Sequence, residues 1–382
     1  MENRRDRVLT GQLPSPFAAQ SLFLTLQLSV EDERHRVSHP NKPKMNRFAT
    51  MAAAVLICAV GFYCIWRSSQ PQVPLFVAKT GAPSARAEWH DGAWYWLEGA
   101  GTPAARVMRG DNSAPTVAVS ASLITSYAIG PGKIATIAGM GNKWSISLAN
   151  TAGGGSSTVW SGDREPRGLY FSDQRLYWLD QAPPAVPNAD AFSPLAPSVR
   201  VMVMPMAGGA PTLVGSVMEI QGGRILGVKD GQITLTATRS GLQDVTTIYR
   251  IPIAGGVARR IAAETGQQQA VLSRDGVLYW TGPSREAAQP TRVVCVRRLG
   301  RDGRTEWLQD WLPYGGALYE SGDSVYYVGG SGIPGVWPIG GANPLPQPAK
   351  LPTGYTALAV GNGGILLQSD SEKIPTLYRI SL

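Results

Sequence analysis

The chain has 382 residues, is 43% hydrophobic and only 16% charged, and carries 44 Gly and 29 Pro. It can bury a large core, and turn-makers at that density suit many short strands. The formal charge is +8; eight basic residues precede residue 48 (Arg4, Arg5, Arg7, Arg34, Arg36, Lys42, Lys44, Arg47), and later basic residues are scattered apart from pairs such as Arg259-Arg260 and Arg297-Arg298. That distribution argues against the basic stripe of a nucleic-acid binder.

Residues 1–47 show no sustained period and read as a disordered cytoplasmic tail, with Met45 a second candidate start. Phe48 to Trp66 is a run of nineteen residues without a charge. As a helix it spans ~28 Å, about one hydrocarbon core. Phe48 stands at one end and Phe62, Tyr63 and Trp66 at the other, as aromatic residues do at membrane interfaces. Arg34, Arg36, Lys42, Lys44 and Arg47 precede it and only Arg67 follows closely. The positive-inside rule then puts residues 1–47 in the cytoplasm and the rest outside. A cleaved signal peptide starting at Met45 lacks a small-x-small site, and Ile57 and Tyr63 before Cys58 and Cys64 are too bulky for a lipobox. The expectation is an uncleaved single-pass signal-anchor in the inner membrane, followed by a short extended linker over 67–74.

From residue 75 the pattern is all-β. Leu75 to Lys79 is an orphan apolar strand, and after it one unit recurs. Its apolar strand reads Trp94-Tyr95-Trp96, Ile134-Ala135-Thr136, Leu176-Tyr177-Trp178, Ile233-Thr234-Leu235, Leu278-Tyr279-Trp280, Val325-Tyr326-Tyr327 and Ile365-Leu366-Leu367. Successive middle residues are 40, 42, 57, 45, 47 and 40 apart. A turn pair precedes each copy: Asp91-Gly92, Pro131-Gly132, Asp173-Gln174, Asp230-Gly231, Asp275-Gly276, Gly322-Asp323 and Asn362-Gly363. Most of these pairs suit two-residue turns between antiparallel strands. Third and fourth strands follow, as in IYRIPIAGGVARRI (248–261) and VMVMPMAGGAPTLV (201–214).

Four strands per unit of about 40–45 residues is the period of a propeller blade. The expectation is a seven-bladed β-propeller over 75–382 with four-stranded antiparallel blades, six blades being the fallback because the second and seventh copies are degenerate. The last copy stops at Leu382, short of an outer strand, so Leu75 to Lys79 is expected to supply it and close the ring. LYWLD (176–180), LYWTG (278–282) and IYRIPIAGG (248–256) resemble the repeats of YWTD-type and related bacterial propellers. The pattern is incomplete: only Asp180 keeps the Asp, and Leu179 stands where Thr is usual. The resemblance implies the fold and a bacterial source, and leaves function open.

Several chemistries lack their residues. His90 is the one histidine of the propeller region, placed beside a turn, which leaves neither a His-cluster metal site nor multi-His catalysis. Cys295 is alone there, within Val293-Val294-Cys295-Val296, and reads as a small buried hydrophobe. Calcium loops, Walker lysines and GxSxG elbows do not occur. The turn aspartates Asp173, Asp230, Asp275 and Asp323 have a structural explanation, since Asp bonds its own backbone in tight turns. No catalytic residue, cofactor or metal ligand is assigned.

Two features could carry binding. Residues 181–199 form a Pro- and Ala-rich insertion in the third copy, a candidate docking loop with Pro183, Pro184, Pro187, Phe192, Pro194 and Pro197; loops this long are functional or disordered. Trp89, Trp144, Trp160, Trp307, Trp311 and Trp337 lie off the second strand, where some could line a carbohydrate or peptide surface. The favoured reading is a non-catalytic binding or scaffold module for a protein, peptide or glycan. The alternative is a hydrolase or lyase using carboxylates that meet in the central channel.

Overall fold

The structure is a computed structural model. It describes residues 75–79 and 84–381 apart from 112–113, 182–198, 218–222, 240–244, 266–268, 284–292, 301, 323, 330–334, 342–348, 362 and 370–375. The expected tail, membrane helix and linker (1–47, 48–66, 67–74) lie outside the described residues. No helix among the described residues is long and apolar enough to cross a membrane.

The strands, in chain order, begin with β1 (Leu75–Lys79). Blade one is β2 (Ser84–His90), β3 (Ala93–Glu98), β4 (Arg106–Gly110) and β5 (Thr116–Ser120). Blade two is β6 (Ile124–Gly130), β7 (Lys133–Met140), β8 (Lys143–Asn150) and β9 (Ser157–Gly162). Blade three is β10 (Arg167–Ser172), β11 (Arg175–Gln181), β12 (Val199–Pro205) and β13 (Thr212–Val217). Blade four is β14 (Arg224–Lys229), β15 (Gln232–Arg239), β16 (Val245–Pro252) and β17 (Arg259–Thr265). Blade five is β18 (Ala270–Leu272), β19 (Leu278–Pro283), β20 (Val293–Leu299) and β21 (Thr305–Pro313). Blade six is β22 (Ala317–Ser321), β23 (Ser324–Val328), β24 (Gly335–Gly341) and β25 (Ala349–Lys350). Blade seven is β26 (Tyr355–Gly361), β27 (Gly364–Ser369) and β28 (Thr376–Ser381), with β1 as its fourth strand.

The ring therefore has seven blades, not the fallback six, and the degenerate second and seventh copies form full four-stranded sheets. Each of the seven apolar triplets is part of the second strand of its blade. Asp91-Gly92, Asp173-Gln174 and Asp230-Gly231 all have positive φ at both positions, the geometry of two-residue hairpin turns. Asp275-Gly276 departs from the expected two-residue turn. It belongs to a longer loop closed by Ser273, whose N–H donates to Val277 O at 2.9 Å and whose Oγ accepts the Val277 N–H at 3.1 Å.

Closure follows the expected strand. β1 pairs antiparallel with β28, Leu75 opposite Arg379 and Lys79 opposite Thr376, with a bulge between Phe76 and Ala78. Third and fourth strands carry a comparable irregularity in blades one to five. The pairing of β1 thus reproduces that of an ordinary outer strand.

Seven apolar clusters occupy the seven blade-to-blade interfaces. The second strand is buried on both faces, so its alternation separates two neighbours and not core from water. In β3, Trp94 and Trp96 pack toward blade seven while Tyr95 and Leu97 pack toward blade two. In β11, Leu176 and Trp178 face blade two, and Tyr177 and Leu179 face blade four. Truncating one of these rings, as in Trp178→Ala, would cost about 3–5 kcal/mol.

Buried charge is paired across strands. Glu98 accepts from Arg106 Nη2 at 2.9 Å and from Trp96 Nε1 at 2.9 Å, and Asp180 takes Arg200 in the same way on blade three. Blade five has Gly282 at the matching place, where a Cβ would sit 2.9 Å from the Arg297 guanidinium carbon. Arg297 instead pairs with Glu264 of blade four and stacks over Trp307 at 4.0 Å, so the pair spans two blades. Breaking a buried pair by removing one partner costs about 3–5 kcal/mol.

Deleting residues 75–79 should lower the melting temperature by about 5 °C or more, since ~1 kcal/mol is worth ~2–4 °C in a large domain. Calorimetry checks this; an unchanged melt would mean that the ring holds without its closing strand.

Candidate functional site: the central channel

The first strands of the seven blades touch their neighbours in a closed circle, from β2 through β6, β10, β14, β18, β22 and β26 back to β2. They enclose a cavity of about 880 Å³. Its polar lining includes Glu88, Tyr170, Arg224, Gln269, Tyr319, Glu320 and Thr356, among apolar groups such as Trp89, Ile129 and Phe171. Toward the turns that follow the first strands, a mouth of about 510 Å³ is walled by Trp89, Glu320, Ser321, Gly322, Gly361 and Gly363. Gly361 is dictated by packing there: a Cβ would lie 2.4 Å from Trp89 Cβ.

Several inner-strand side chains join one blade to the next. Tyr127 Oη donates to Tyr95 O at 2.9 Å, blade two to blade one. Tyr170 accepts the backbone N–H of Val228, blade three to blade four. Arg224 Nη2 donates to Ala270 O at 2.5 Å, blade four to blade five, and Tyr319 Oη donates to Ala357 O at 3.2 Å, blade six to blade seven. Such bonds satisfy groups that burial would otherwise penalise.

The electrostatics are local. Burial pushes the Tyr170 hydroxyl up, and Glu320, then Asp173 and Glu88, push the same way, so carboxylates of blades one, three and six all act on that ring. Burial also raises Tyr319, while the Arg224 guanidinium opposes it. Glu88 and Glu320 are the carboxylates of the lining, and His90 closes the end of β2 with Nε2 3.2 Å from Asp91 Oδ2. Among the described residues no group of three or more His, Cys, Asp or Glu is placed to hold a metal ion.

The expected features sort as follows. Pro183, Pro184, Pro187, Phe192, Pro194 and Pro197 lie outside the described residues. The loop's base is described: Gln181 pairs with Val199, so it leaves the end of the blade where the first strand begins. Asp173, Asp230 and Asp275 are exposed at turns and do not line the cavity, and Asp323 lies outside the described residues. Cys295 is fully buried with Sγ 3.2 Å from Pro283 O, and burial pushes its thiol up, away from a nucleophile's range. Of the six outlying tryptophans, Trp89, Trp144, Trp160, Trp307 and Trp337 are partly buried and only Trp311 is exposed. Sequence reasoning did not single out Glu88, Tyr170, Arg224, Tyr319 or Glu320. Counting back from each turn into the first strand was the available signal, but strand bulges shift which residue faces the axis.

Tyr327 shows what this construction predicts for pH. Its buried hydroxyl donates to Pro313 O and accepts the Gly316 N–H at 3.0 Å, and burial pushes its pKa up to about 12 from 10.0. The unfolded chain therefore loses this proton first as pH rises. The contribution is intact below pH 10 and is lost between 10 and about 12, and Tyr170 and Tyr319 shift in the same direction. Urea melts at pH 9 and 11.5 should show a steep loss of stability that is shallower in Tyr327→Phe; equal slopes would contradict this account.

No protein-family model and no curated protein matches the chain. Solved structures do match. An oligogalacturonate lyase in complex with manganese is 13% identical with a TM-score of 0.57, over 82% of this chain and 97% of that one. A Pyrococcus horikoshii acylaminoacyl peptidase is 10% identical with a TM-score of 0.55, over 79% of this chain and 52% of its own. The β-propeller domain of the Trilobed protease from Pyrococcus furiosus, which has an open velcro topology, is 12% identical with a TM-score of 0.54, over 79% and 94%. At such identities the likeness is one of fold alone: the chain is a β-propeller, here with its ring closed by β1 on β28.

Proposed function

We propose that this chain is a membrane-anchored, extracytoplasmic β-propeller that acts as a non-catalytic binding or scaffold module for a protein, peptide or glycan. The observation that carries the reading is the use of polar inner-strand groups as ties: Tyr127, Tyr170, Arg224 and Tyr319 bond from blade to blade. A ring stiffened in this way presents surfaces and loops with little ordering cost on binding. The anchor in this reading is the uncharged run 48–66, and the basic residues before it orient the propeller outward.

A second reading has one observation in its favour. Glu88 of blade one and Glu320 of blade six both act on Tyr170 in the channel, which is a place for acid–base chemistry by a hydrolase or lyase.

Full-length chain should sediment with membranes and resist carbonate washing, while a chain lacking 48–66 should not. Cross-linking in intact cells should capture the same partner with wild type and with the Glu88→Gln/Glu320→Gln double variant. A captured ligand that is turned over by wild type and left intact by the double variant would overturn the non-catalytic reading.

A further inference from the structure

The third and fourth strands of blade four bring two arginines together. Thr234, the middle residue of its triplet, stands opposite Arg250 on β16, and Arg250 stands opposite Arg259 on β17. Directly opposite residues of antiparallel strands share a face, with Cβ atoms about 4.5–5.5 Å apart. Ile233 and Leu235, on either side of Thr234, pack toward blade three. Strand alternation therefore turns Thr234, Arg250 and Arg259 toward blade five.

Like charges directly opposite each other are destabilising, and the matching rows of other blades avoid them. On blade five, Tyr279 is opposite Arg298 and Arg298 is opposite Glu306. The Glu306 carboxylate accepts from Arg298 Nε at 2.7 Å and from Nη2 at 2.6 Å. On blade one, Tyr95 is opposite Arg109, and Thr116 follows on the outer strand. Blade four has a second arginine where blade five has a carboxylate.

Neither Arg250 nor Arg259 has an ion-pair partner among the described residues. Arg250 is half-buried, and its Nε is buried without a hydrogen-bond partner. Burial, then the facing Arg259 charge, push its guanidinium below the ordinary arginine range, and the turn carboxylate of Asp230 opposes them less strongly. Arg259 is exposed on the edge strand, so the row opens to solvent at that end.

We propose that Arg250 and Arg259 form an anion site on the rim of blade four, with a phosphate dianion, free or as a monoester, as its ligand. An oxyanion held between the two guanidiniums supplies the charge that Glu306 supplies on blade five. One guanidinium fork occupies both oxygens of a carboxylate, whereas a tetrahedral phosphate has oxygens for two forks. The site is built on third and fourth strands, while the channel is lined by first strands, so it stands apart from the binding-module reading.

The test is calorimetric titration of the full chain in detergent with inorganic phosphate, glycerol 3-phosphate and acetate, at constant ionic strength and about pH 8, where a phosphate monoester carries two charges. Saturable phosphate binding is expected, with acetate at least tenfold weaker. Tighter binding of glycerol 3-phosphate would assign the site to a monoester, and equal or weaker binding to free phosphate. Arg250→Gln should weaken phosphate binding at least tenfold. Arg259→Glu rebuilds the blade-five pair on blade four, so it should abolish phosphate binding while raising the melting temperature of the ligand-free chain. No saturable binding, acetate bound as tightly as phosphate, or phosphate binding retained by Arg259→Glu would each overturn the proposal. An unchanged or lower melting temperature of ligand-free Arg259→Glu would overturn it too, because the two arginines would then not be in conflict. Any of these failures leaves the partner capture in cells, and the reading it tests, unaffected.

Discussion

Pairing of Leu75–Lys79 with Thr376–Ser381 is the constraint on which the ring depends. Every blade is buried against two neighbours, so an unclosed ring would leave the interface between blades seven and one to hold by side-chain packing alone. With β1 hydrogen-bonded to β28, opening that interface also requires stripping a backbone ladder. The closing pair has a bulge like those of other outer strands, which lets a segment from the opposite end of the propeller sequence complete the last blade without special geometry.

Double-sided burial explains the distribution of side chains. Second strands carry Trp, Tyr and Leu on both faces because both faces are dry; the Trp96 and Trp280 indoles donate to Glu98 and Glu264, whereas the Trp94 and Trp178 N–H groups are buried without a hydrogen-bond partner. The carboxylate–arginine pair beside the second strand recurs with variation: within a blade at Glu98–Arg106 and Asp180–Arg200, between blades at Glu264–Arg297. The last arrangement is possible because Gly282 leaves room for the guanidinium.

Inner and outer strands differ in what their side chains must satisfy. Inner strands use tyrosine hydroxyls and Arg224 to tie one blade to the next. Edge strands have no further blade to satisfy, and there the backbone can take a conformation that only exposes a side chain. Trp311 is the example, a large ring on a strained bulge supported by Asp310.

Much of this architecture was legible in the residues. Recurrence of an apolar triplet after a Gly- or Asp-bearing turn marks seven second strands, because tight turns demand residues that accept positive φ and doubly buried strands demand apolar ones. The orphan strand before the first copy and the missing strand after the last pointed to closure for the same reason, an unpaired edge at each end. Asp275-Gly276 is an exception to the two-residue turns that most such pairs suit, since the same residues fit the longer loop closed by the Ser273 side chain.

By itself, then, the sequence determined the repeat, the strand type and the closing element, all of which depend on local residue type and spacing. Tertiary structure alone decided which side chains share a space. Glu88, Tyr170, Arg224 and Glu320 come from four blades and meet only because the ring brings first strands to one axis. Trp311 is exposed where the other five outlying tryptophans are partly buried, and it sits on a bulge whose register comes from pairing with β20 and whose backbone its neighbour Asp310 supports.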